Sequence, residues 1–221
     1  MDTDPPTATH PFRKRLRTWH IAVVAGLWVA AVAYGQRALL NYDFAAAAPG
    51  NPPPHWPSNT AISRAARLPT IVMVAHPHCP CTRATIEELA IIMARLHNRA
   101  TAAVIFVRPR GFSDAWEKTD LWESAARIPG ATVLSDSDGV EAARFGAIAS
   151  GQTMLFAADG KLLFSGGIVP FRGHAGDNPG RAAILSLVSS GTSTITQTSV
   201  YGCSLHDPER ASAMDTKMDR R

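Results

Sequence analysis

Cysteine is scarce in this sequence, with three residues in a chain of 221. So small a number excludes a scaffold stapled by several disulfides, and leaves redox chemistry, a metal site or burial as the uses of these thiols. The net charge is only +4, so nucleic acid is not an expected partner. The sequence also lacks a Gly-x-y repeat, a glycine-rich phosphate loop and a Ser-His-Asp arrangement, which excludes a collagen-like chain and gives no support to nucleotide-binding or hydrolase function.

One uncharged stretch near the N-terminus is long enough to cross a membrane as a helix. It extends from Thr18 to Gln36, and its centre is almost wholly apolar. Trp19 and Tyr34 lie near its two ends, where aromatic rings prefer the membrane interface. The residues before it include a basic cluster of Arg13, Lys14, Arg15 and Arg17. Because basic flanks stay in the cytoplasm, everything after the stretch is predicted to be exported.

We therefore predict a single-pass signal anchor at residues 19–37 in the inner (cytoplasmic) membrane, behind a cytoplasmic basic tail at residues 1–18. The alternative is a cleaved signal peptide, because Ala31-Val-Ala33 fits a cleavage site. Either way, the rest of the chain lies on the periplasmic side. Residues 38–60 are rich in proline and alanine, and we expect an extended linker that contributes nothing to a core.

The remaining chain is predicted to form one domain at residues 61–205, followed by a frayed polar tail at residues 206–221. Short β-branched runs alternate with amphipathic stretches in the domain, which predicts alternating strands and helices. The predicted strands are 70–75, 102–107, 131–134, 152–157 and 161–165, and the predicted helices are 80–97, 120–127, 139–145 and 179–190. This order implies an α/β fold whose mixed central sheet has helices on both faces, with the first three strands parallel and the last two antiparallel.

A Cys-Pro-Cys motif lies at the junction between the first strand and the first long helix of this domain. A thiol at a helix N-terminus faces unpaired N–H groups that stabilise the thiolate, so the pKa of Cys79 is expected to be low. Pro80 suits the first helical turn, where its missing N–H would have no partner. Cys79 and Cys81 can approach disulfide distance, but so small a ring is expected to be strained and labile.

The segment from Pro69 to Cys81, together with the helix after it, resembles the active-site segment of the thioredoxin superfamily, and the later element order agrees over about residues 58–192. Within that superfamily the chain resembles bacterial membrane-anchored thioredoxin-like proteins of the RedB type. The resemblance implies a three-layer thioredoxin-like fold behind the transmembrane helix. Aligned without a gap, His78 stands where the family has its first cysteine, while Pro80 and Cys81 match its proline and second cysteine.

The family's cis-proline before the fourth strand is also missing. Ser150-Gly151-Gln152-Thr153 stands at that position, where Gly151 still allows close backbone approach. The fold would bring the glycine-rich loop at residues 166–178 to the same end of the sheet as the motif. Arg172 in this loop would favour a thiolate and His174 would shuttle protons. The alternative is a simple turn in which Asp177 or Asn178 caps the last helix.

The third thiol, Cys203, lies beyond the last predicted helix. Two readings stay open: it returns to the motif and resolves a mixed disulfide, or it is a packed or free thiol. The favoured function is a thiol–disulfide oxidoreductase in which Cys79 attacks, Cys81 resolves and Cys203 serves as a relay. The expected supporting residues are His76, His78, Pro80, Gly151, Arg172 and His174.

The expected partners of such an oxidoreductase are exported protein thiols and disulfides, a redox partner and the lipid bilayer, without a cofactor. An alternative is a copper or zinc binding or delivery protein that uses His76, His78, Cys79 and Cys81, because thiolates and imidazoles suit these metals. A further alternative is a tethered interaction domain whose cysteines are inert.

Overall fold

The computed structural model of the chain describes residues 11–113 and 115–205, with side chains described from residue 19 onward. The predicted polar tail at residues 206–221 and the first ten residues of the basic tail lie outside these ranges. The described chain divides into two units between Asp43 and Phe44, and each is described by itself.

The first unit is a single helix, α1, that spans Pro11–Asp43. From Trp19 to Asp43 it is long and apolar enough to cross a membrane, and this part ends six residues beyond the predicted boundary at residue 37. None of this apolar stretch is buried in the protein, and Leu27 and Trp28 are each 66% exposed. A helix that is apolar on all sides and exposes its side chains in this way matches the environment of a lipid bilayer.

The second unit alternates strands and helices as predicted. Its described elements are β1 (Thr70–Ala75), α2 (Pro80–Leu96), β2 (Thr101–Arg108), α3 (Asp120–Ala126), β3 (Ala131–Ser137), α4 (Val140–Arg144), β4 (Thr153–Phe156), β5 (Leu162–Gly166) and α5 (Pro179–Ser190). The third strand is three residues longer than predicted, because Ser135, Asp136 and Ser137 continue the pairing with the end of β2. Their polar side chains hide this extension from a pattern based on apolar residues.

The five strands form one mixed sheet in the order β3-β2-β1-β4-β5. Strands β1, β2 and β3 are parallel, whereas β4 is antiparallel to β1 and β5 is antiparallel to β4, which confirms the predicted directions. The central strand β1 is buried along its whole length. Its carboxyl end leads directly into the cysteine motif, so the motif follows the central, fully buried strand of the sheet.

Alternating side chains of β1 pack into two separate apolar clusters, one on each face of the sheet. Ile71 and Met73 belong to the cluster covered by α2, α3 and α5. Val72 and Val74 belong to the opposite cluster, which contains α4 and several non-helical side chains, namely Trp56, Ile62 and Leu205. Helices therefore cover both faces, although irregular segments complete the α4 face.

The expectation that the proline-rich linker contributes nothing to a core is wrong. The ring of Trp56 packs edge-on against Phe145 and Phe156, with ring centroids 5.1 and 5.2 Å away. Backbone hydrogen bonds add to this packing, since the carbonyl of Pro54 accepts from Leu162 at 2.8 Å and the amide of Asn51 donates to Gly146 at 2.9 Å. A proline lacks the N–H donor but keeps its carbonyl acceptor, so this composition does not prevent docking.

Candidate active site

The cysteine motif lies where β1 ends and α2 begins. Cys79 is the N-cap of α2, with an extended backbone (φ −89°, ψ 119°), and Pro80 occupies the first helical turn as predicted. The amide of Cys79 donates to the carbonyl of His76 at 3.2 Å. The motif thus starts the helix with a thiol at its positive end, where anionic groups are stabilised.

The sulfur atom of Cys79 lies against that of Cys203, 124 residues further along the chain. The two Sγ atoms are 2.7 Å apart, and both thiols are free. This separation is longer than the roughly 2.05 Å of a disulfide bond, and it leaves little movement before one could form. Cys79 and Cys81 are buried, with 2% and 5% exposure. Of the two readings for Cys203, the structure therefore supports its return to the motif.

Residues 196–205, which we call the C-terminal segment, bring Cys203 to this position. The segment first runs beside the edge strand β5, where the amide of Ser165 donates to Thr196 at 3.0 Å. It then crosses to the loop before β4. There the amide of Ser150 donates to the carbonyl of Cys203 at 2.8 Å, and the amide of Leu205 donates to Ile148 at 2.9 Å. Two backbone hydrogen bonds, one at Cys203 and one at Leu205, therefore hold the end of the segment that carries the third thiol.

The electrostatics of the cluster favour a thiolate on Cys79. Burial raises the pKa of Cys79, but hydrogen bonds from the Cys203 thiol, from the backbone of Cys203 and Cys81 and from Thr82 outweigh burial, so the net pKa is lowered. Burial raises the pKa of Cys203 to about 12, with further contributions from its hydrogen bond to Cys79 and from the Cys79 charge. With a lowered pKa on Cys79 and a raised pKa on Cys203, Cys79 is the first of the two thiols to lose its proton as the pH rises.

Cys81 lies in the opposite electrostatic situation from Cys79. Burial, followed by the charge and the hydrogen bond of Cys79, raises the pKa of Cys81, and Arg172 opposes this rise. A single residue, Pro80, thus separates a thiol of lowered pKa from a thiol of raised pKa. The nucleophile of the motif is expected to be Cys79 because the thiolate is the reactive form.

Arg172 lies at the site, as the sequence predicted, and also ties two segments together. Its Nη1 donates to the carbonyl of Gly202 at 3.0 Å, and its Nε donates to the carbonyl of Ala45 at 3.0 Å. The described contacts of His174 lie within its own loop. Its Nδ1 donates to the carbonyl of Arg172 at 2.6 Å, and its ring stacks on Phe171 at 4.2 Å. The contacts described for His174 include no sulfur, so its proton-shuttle role stays a prediction.

The two histidines of the motif pack against Trp116 instead of converging with the cysteines. The His76 and His78 rings lie 5.5 and 4.6 Å from the ring of Trp116, and His78 Nε2 donates to the carbonyl of Trp116 at 3.1 Å. Burial, followed by the nearby His78, lowers the pKa of His76. Within residues 11–113 and 115–205, no group of three or more His, Cys, Asp or Glu side chains is arranged to hold a metal ion. The four proposed metal ligands are thus not assembled in this conformation.

The loop before β4 supports the motif through a serine that sequence reasoning missed. Ser150 Oγ accepts from the amide of His76 at 2.9 Å and shares a hydrogen bond with Thr82 Oγ1 at 2.7 Å. Gly151 beside it has φ +86°, and its amide donates to the carbonyl of Val74 at 2.7 Å. Glycine adopts this backbone conformation without a steric cost. No cis peptide bond occurs in the described ranges, in agreement with the missing proline.

A buried ion pair holds the Arg172 loop against α2. Glu88 is fully buried, and its Oε2 lies 2.6 Å from Nη1 of Arg181 on α5. Its Oε1 accepts from the amide of Gly176 at 2.7 Å. Asn178 caps α5 as predicted, since its Oδ1 accepts from the amide of Arg181 at 2.7 Å. No spacing rule pairs residues 93 positions apart, so only the fold reveals this contact.

Comparison with known proteins identifies the fold but no close relative. No family model and no curated protein matches the sequence. A hypothetical protein from Sinorhizobium meliloti 1021 is similar in structure, with a TM-score of 0.51 and 20% identity over 62% of this chain and 78% of that one. An uncharacterized conserved protein from Geobacillus kaustophilus has a TM-score of 0.50 and 18% identity over 64% and 78% of the two chains.

A more distant similarity is to a secreted Mycobacterium tuberculosis disulfide oxidoreductase homologous to Escherichia coli DsbE. Its TM-score is 0.39 and its identity 20%, over 56% of this chain and 81% of that one. Identities this low describe the fold alone. The sheet order, the strand directions and the start of a long helix directly after the central strand give this domain a thioredoxin-like fold.

Proposed function

We propose that this protein is a membrane-anchored periplasmic thiol–disulfide oxidoreductase in which Cys79 is the nucleophile. The observation that carries the proposal is a buried thiol of lowered pKa at a helix N-terminus, with a second, protonated thiol 2.7 Å away. Structural cysteines need neither feature, whereas exchange chemistry needs a thiolate and a second thiol within reach of it.

The first step is attack by the Cys79 thiolate on one sulfur of an exported protein disulfide. A bond forms between Cys79 and that sulfur, the substrate's S–S bond breaks, and the leaving sulfur carries the electron pair and takes up a proton. This step gives a mixed disulfide and consumes the negative charge at Cys79. The hydrogen bond to that thiolate and its charge then no longer raise the pKa of Cys203, which makes its proton easier to remove.

The second step is attack by a second thiol of the chain on the Cys79 sulfur. The attacking thiol loses its proton, a Cys79 disulfide forms within the chain, and the substrate leaves as a thiol. The substrate has then gained two electrons that the protein has lost, and a thiol-containing redox partner must restore them. Cys203 is the expected attacking thiol, because its sulfur lies 2.7 Å from that of Cys79 whenever its segment of the chain lies beside the motif. With the opposite redox balance, the same steps in reverse oxidise the substrate.

Membrane attachment is the remaining part of the proposal. The apolar helix at Trp19–Asp43 supports an anchor or a signal sequence, and the basic residues before it favour export of the domain. A membrane-impermeant maleimide added to intact cells should label the domain once their outer envelope is permeabilised. Labelling only after lysis of the inner membrane would refute export, and a mature protein that lacks the helix would identify a cleaved signal.

Alkylation trapping in cells tests the redox proposal. Cells are quenched with acid, free thiols are blocked, and disulfides are then reduced and tagged with a mass label. We expect a fraction of Cys79 to carry the label, and this fraction should rise after a pulse of oxidant. A Cys79→Ser variant serves as the control for the assignment of the label. If Cys79 is never oxidised, even transiently, the proposal fails and an inert interaction domain becomes the better explanation.

A further inference from the structure

The loop edge at residues 148–150 lies beside Cys79 and is already paired with a strand of the same chain. Ser150 and Leu205 donate backbone hydrogen bonds to Cys203 and Ile148 across this edge, and Ala149 and Ser204 form an antiparallel bridge. These hydrogen bonds use backbone groups only. Another extended strand with a cysteine in the same register can therefore make the same hydrogen bonds.

The C-terminal segment is attached mainly through its backbone. Val200 and Leu205 are buried, whereas Thr196, Gln197, Ser199 and Ser204 are exposed. Its remaining attachments are hydrogen bonds, including those from Arg172 to Gly202 and from the amide of Ala47 to Val200. Segments with few buried apolar side chains open at a lower free-energy cost than the core of a domain. Opening of the segment is therefore expected to cost less free energy than unfolding of the sheet.

The edge imposes a steric requirement at one position of any strand that docks there, and Gly202 occupies that position in the C-terminal segment. Gly202 precedes Cys203, and a Cβ atom at that position would lie 1.8 Å from the carbonyl oxygen of Ser150. The obstacle is backbone, which is fixed by the hydrogen bond between Ser150 and Cys203, so a side chain cannot be accommodated by a rotamer change. In this register, only glycine fits before the cysteine.

We propose that the C-terminal segment occupies a docking edge for cysteine-containing strands, that a protein disulfide reaches Cys79 only when this segment leaves, and that the edge selects strands with glycine directly before the cysteine. The proposal rests on the proposed function for the use of the edge, because a docked strand delivers its sulfur to the Cys79 thiolate. The substrate class is thus an extended polypeptide that contains a Gly-Cys pair.

Release of the segment is tested with Gly202→Ala in the reduced full-length chain in detergent. The measured quantity is the rate of Cys79 alkylation by a bulky polymer maleimide divided by the rate with a small maleimide, because the thiolate fraction cancels in this ratio. The added methyl group clashes with the Ser150 carbonyl and should displace the segment, so the bulky reagent gains access to Cys79 and the ratio should rise about tenfold or more. Ser199→Ala is the matched control in the same segment, where the side chain is exposed, and it should leave the ratio unchanged.

Selection is tested with two peptides, Val-Tyr-Gly-Cys-Ser-Leu and Val-Tyr-Ala-Cys-Ser-Leu, each activated as the disulfide with thionitrobenzoate. The Cys79 thiolate attacks the peptide sulfur, the S–S bond to the aromatic thiol breaks, and the coloured thionitrobenzoate anion leaves with the electron pair. We expect the glycine peptide to react about tenfold faster than the alanine peptide. Mass spectrometry shows whether Cys79 is joined to the peptide in a mixed disulfide or has gone on to form a disulfide with another cysteine of the chain.

Equal rates for the two peptides, or a Gly202→Ala variant that keeps the wild-type alkylation ratio while its circular dichroism spectrum is native, would overturn the inference. Failure of the proposed function looks different, because Cys79 would then react with neither peptide. The alkylation ratio needs no disulfide exchange and therefore decides the docking of the segment in either case.

Discussion

Two regions flank Cys79, and they are held by different kinds of contact. On the histidine side, His76 and His78 pack against the ring of Trp116. On the C-terminal side, Cys203 is fixed by backbone pairing and by Arg172. The histidine side is closer in sequence, yet the described contacts place a side chain of the C-terminal side, Cys203, against the sulfur of Cys79, and neither imidazole is among its hydrogen-bond partners.

This difference shows why the motif alone does not identify the chemistry of the site. A histidine next to a cysteine in sequence is positioned by the helix start, which turns both rings toward the loop before α3. The C-terminal segment is not restricted by the start of α2, because it runs past β5 and then back to the motif, where it brings Cys203 against the sulfur of Cys79. The contacts that lower the pKa of Cys79 come from Cys203 and from groups at the start of α2, and not from either imidazole.

The largest effect is expected from removing the thiol on the C-terminal side. Oxidation of the purified full chain should give a Cys79–Cys203 disulfide, because these sulfurs are already in contact. Cys203→Ser should abolish this cross-link, whereas the matched variant Cys81→Ser should keep it. Mass mapping of non-reduced peptides provides the measurement. A cross-link that is lost in Cys81→Ser and kept in Cys203→Ser would reverse the assignment of the partner thiol.

The next largest effect concerns the support of the C-terminal side. Glu88→Gln removes the buried partner of Arg181 and leaves Arg181 with only the exposed carboxylate of Asp177 among its described ion pairs, so the loss should approach about 3–5 kcal/mol of unfolding free energy, as expected for a broken buried pair. Glu87→Gln makes the same chemical change at the adjacent exposed position, where the effect should stay within about 0.5 kcal/mol. Urea unfolding followed by tryptophan fluorescence measures both. Similar losses in the two variants would show that the pair is not important for stability.

Much of this architecture could be predicted from the sequence, because it follows local periodicity. The strand at Thr70–Ala75 and the helix at Pro80–Leu96 have apolar patterns that identify both their type and their bounds. The cap at Asn178 and the position of Pro80 follow from local backbone chemistry. These features need no knowledge of distant parts of the chain, so one sequence is sufficient for them.

The site itself depends on contacts that no local pattern encodes. The approach of Cys203, the burial of Glu88 opposite Arg181 and the docking of Trp56 all join residues far apart in sequence. The sequence therefore left two readings open for Cys203 and predicted that the linker contributes nothing to a core. Burial of a charge or of a proline-rich segment opposes the usual preference of those residues, and only tertiary structure offsets that cost.

A third prediction measures how far Cys203 controls the reactivity of Cys79. Cys203→Ala removes the hydrogen bond that lowers the pKa of Cys79, while burial, which raises it, remains. The pKa should therefore rise, and the rate of Cys79 alkylation by iodoacetamide at neutral pH should fall about tenfold for each unit of rise. The pH–rate profile of Cys79, followed by mass spectrometry, should shift to higher pH. An unshifted profile would mean that the start of α2 alone stabilises the thiolate.

The smallest effect is expected on the histidine side. His76→Asn keeps an acceptor for the amide of His78, and the alkylation rate of Cys79 at neutral pH should stay within about twofold of wild type. A decrease as large as that of Cys203→Ala would show that this side also acts on the sulfur. The same variant has a separate effect on stability, because burial, followed by His78, lowers the pKa of His76 in the folded chain.

The sign of that stability effect follows from proton linkage. Between the lowered folded pKa of His76 and its ordinary value of about 6.5, the unfolded chain binds more protons than the folded chain, so unfolding free energy rises with pH there and levels off above it. His76→Asn removes this contribution, so its stability should fall less than that of wild type when the pH drops from about 7 to about 5.5. Urea unfolding at the two pH values measures the difference. An identical pH dependence in both chains would mean that His76 titrates alike in the folded and unfolded states, and that the packing against Trp116 leaves its ring fully hydrated.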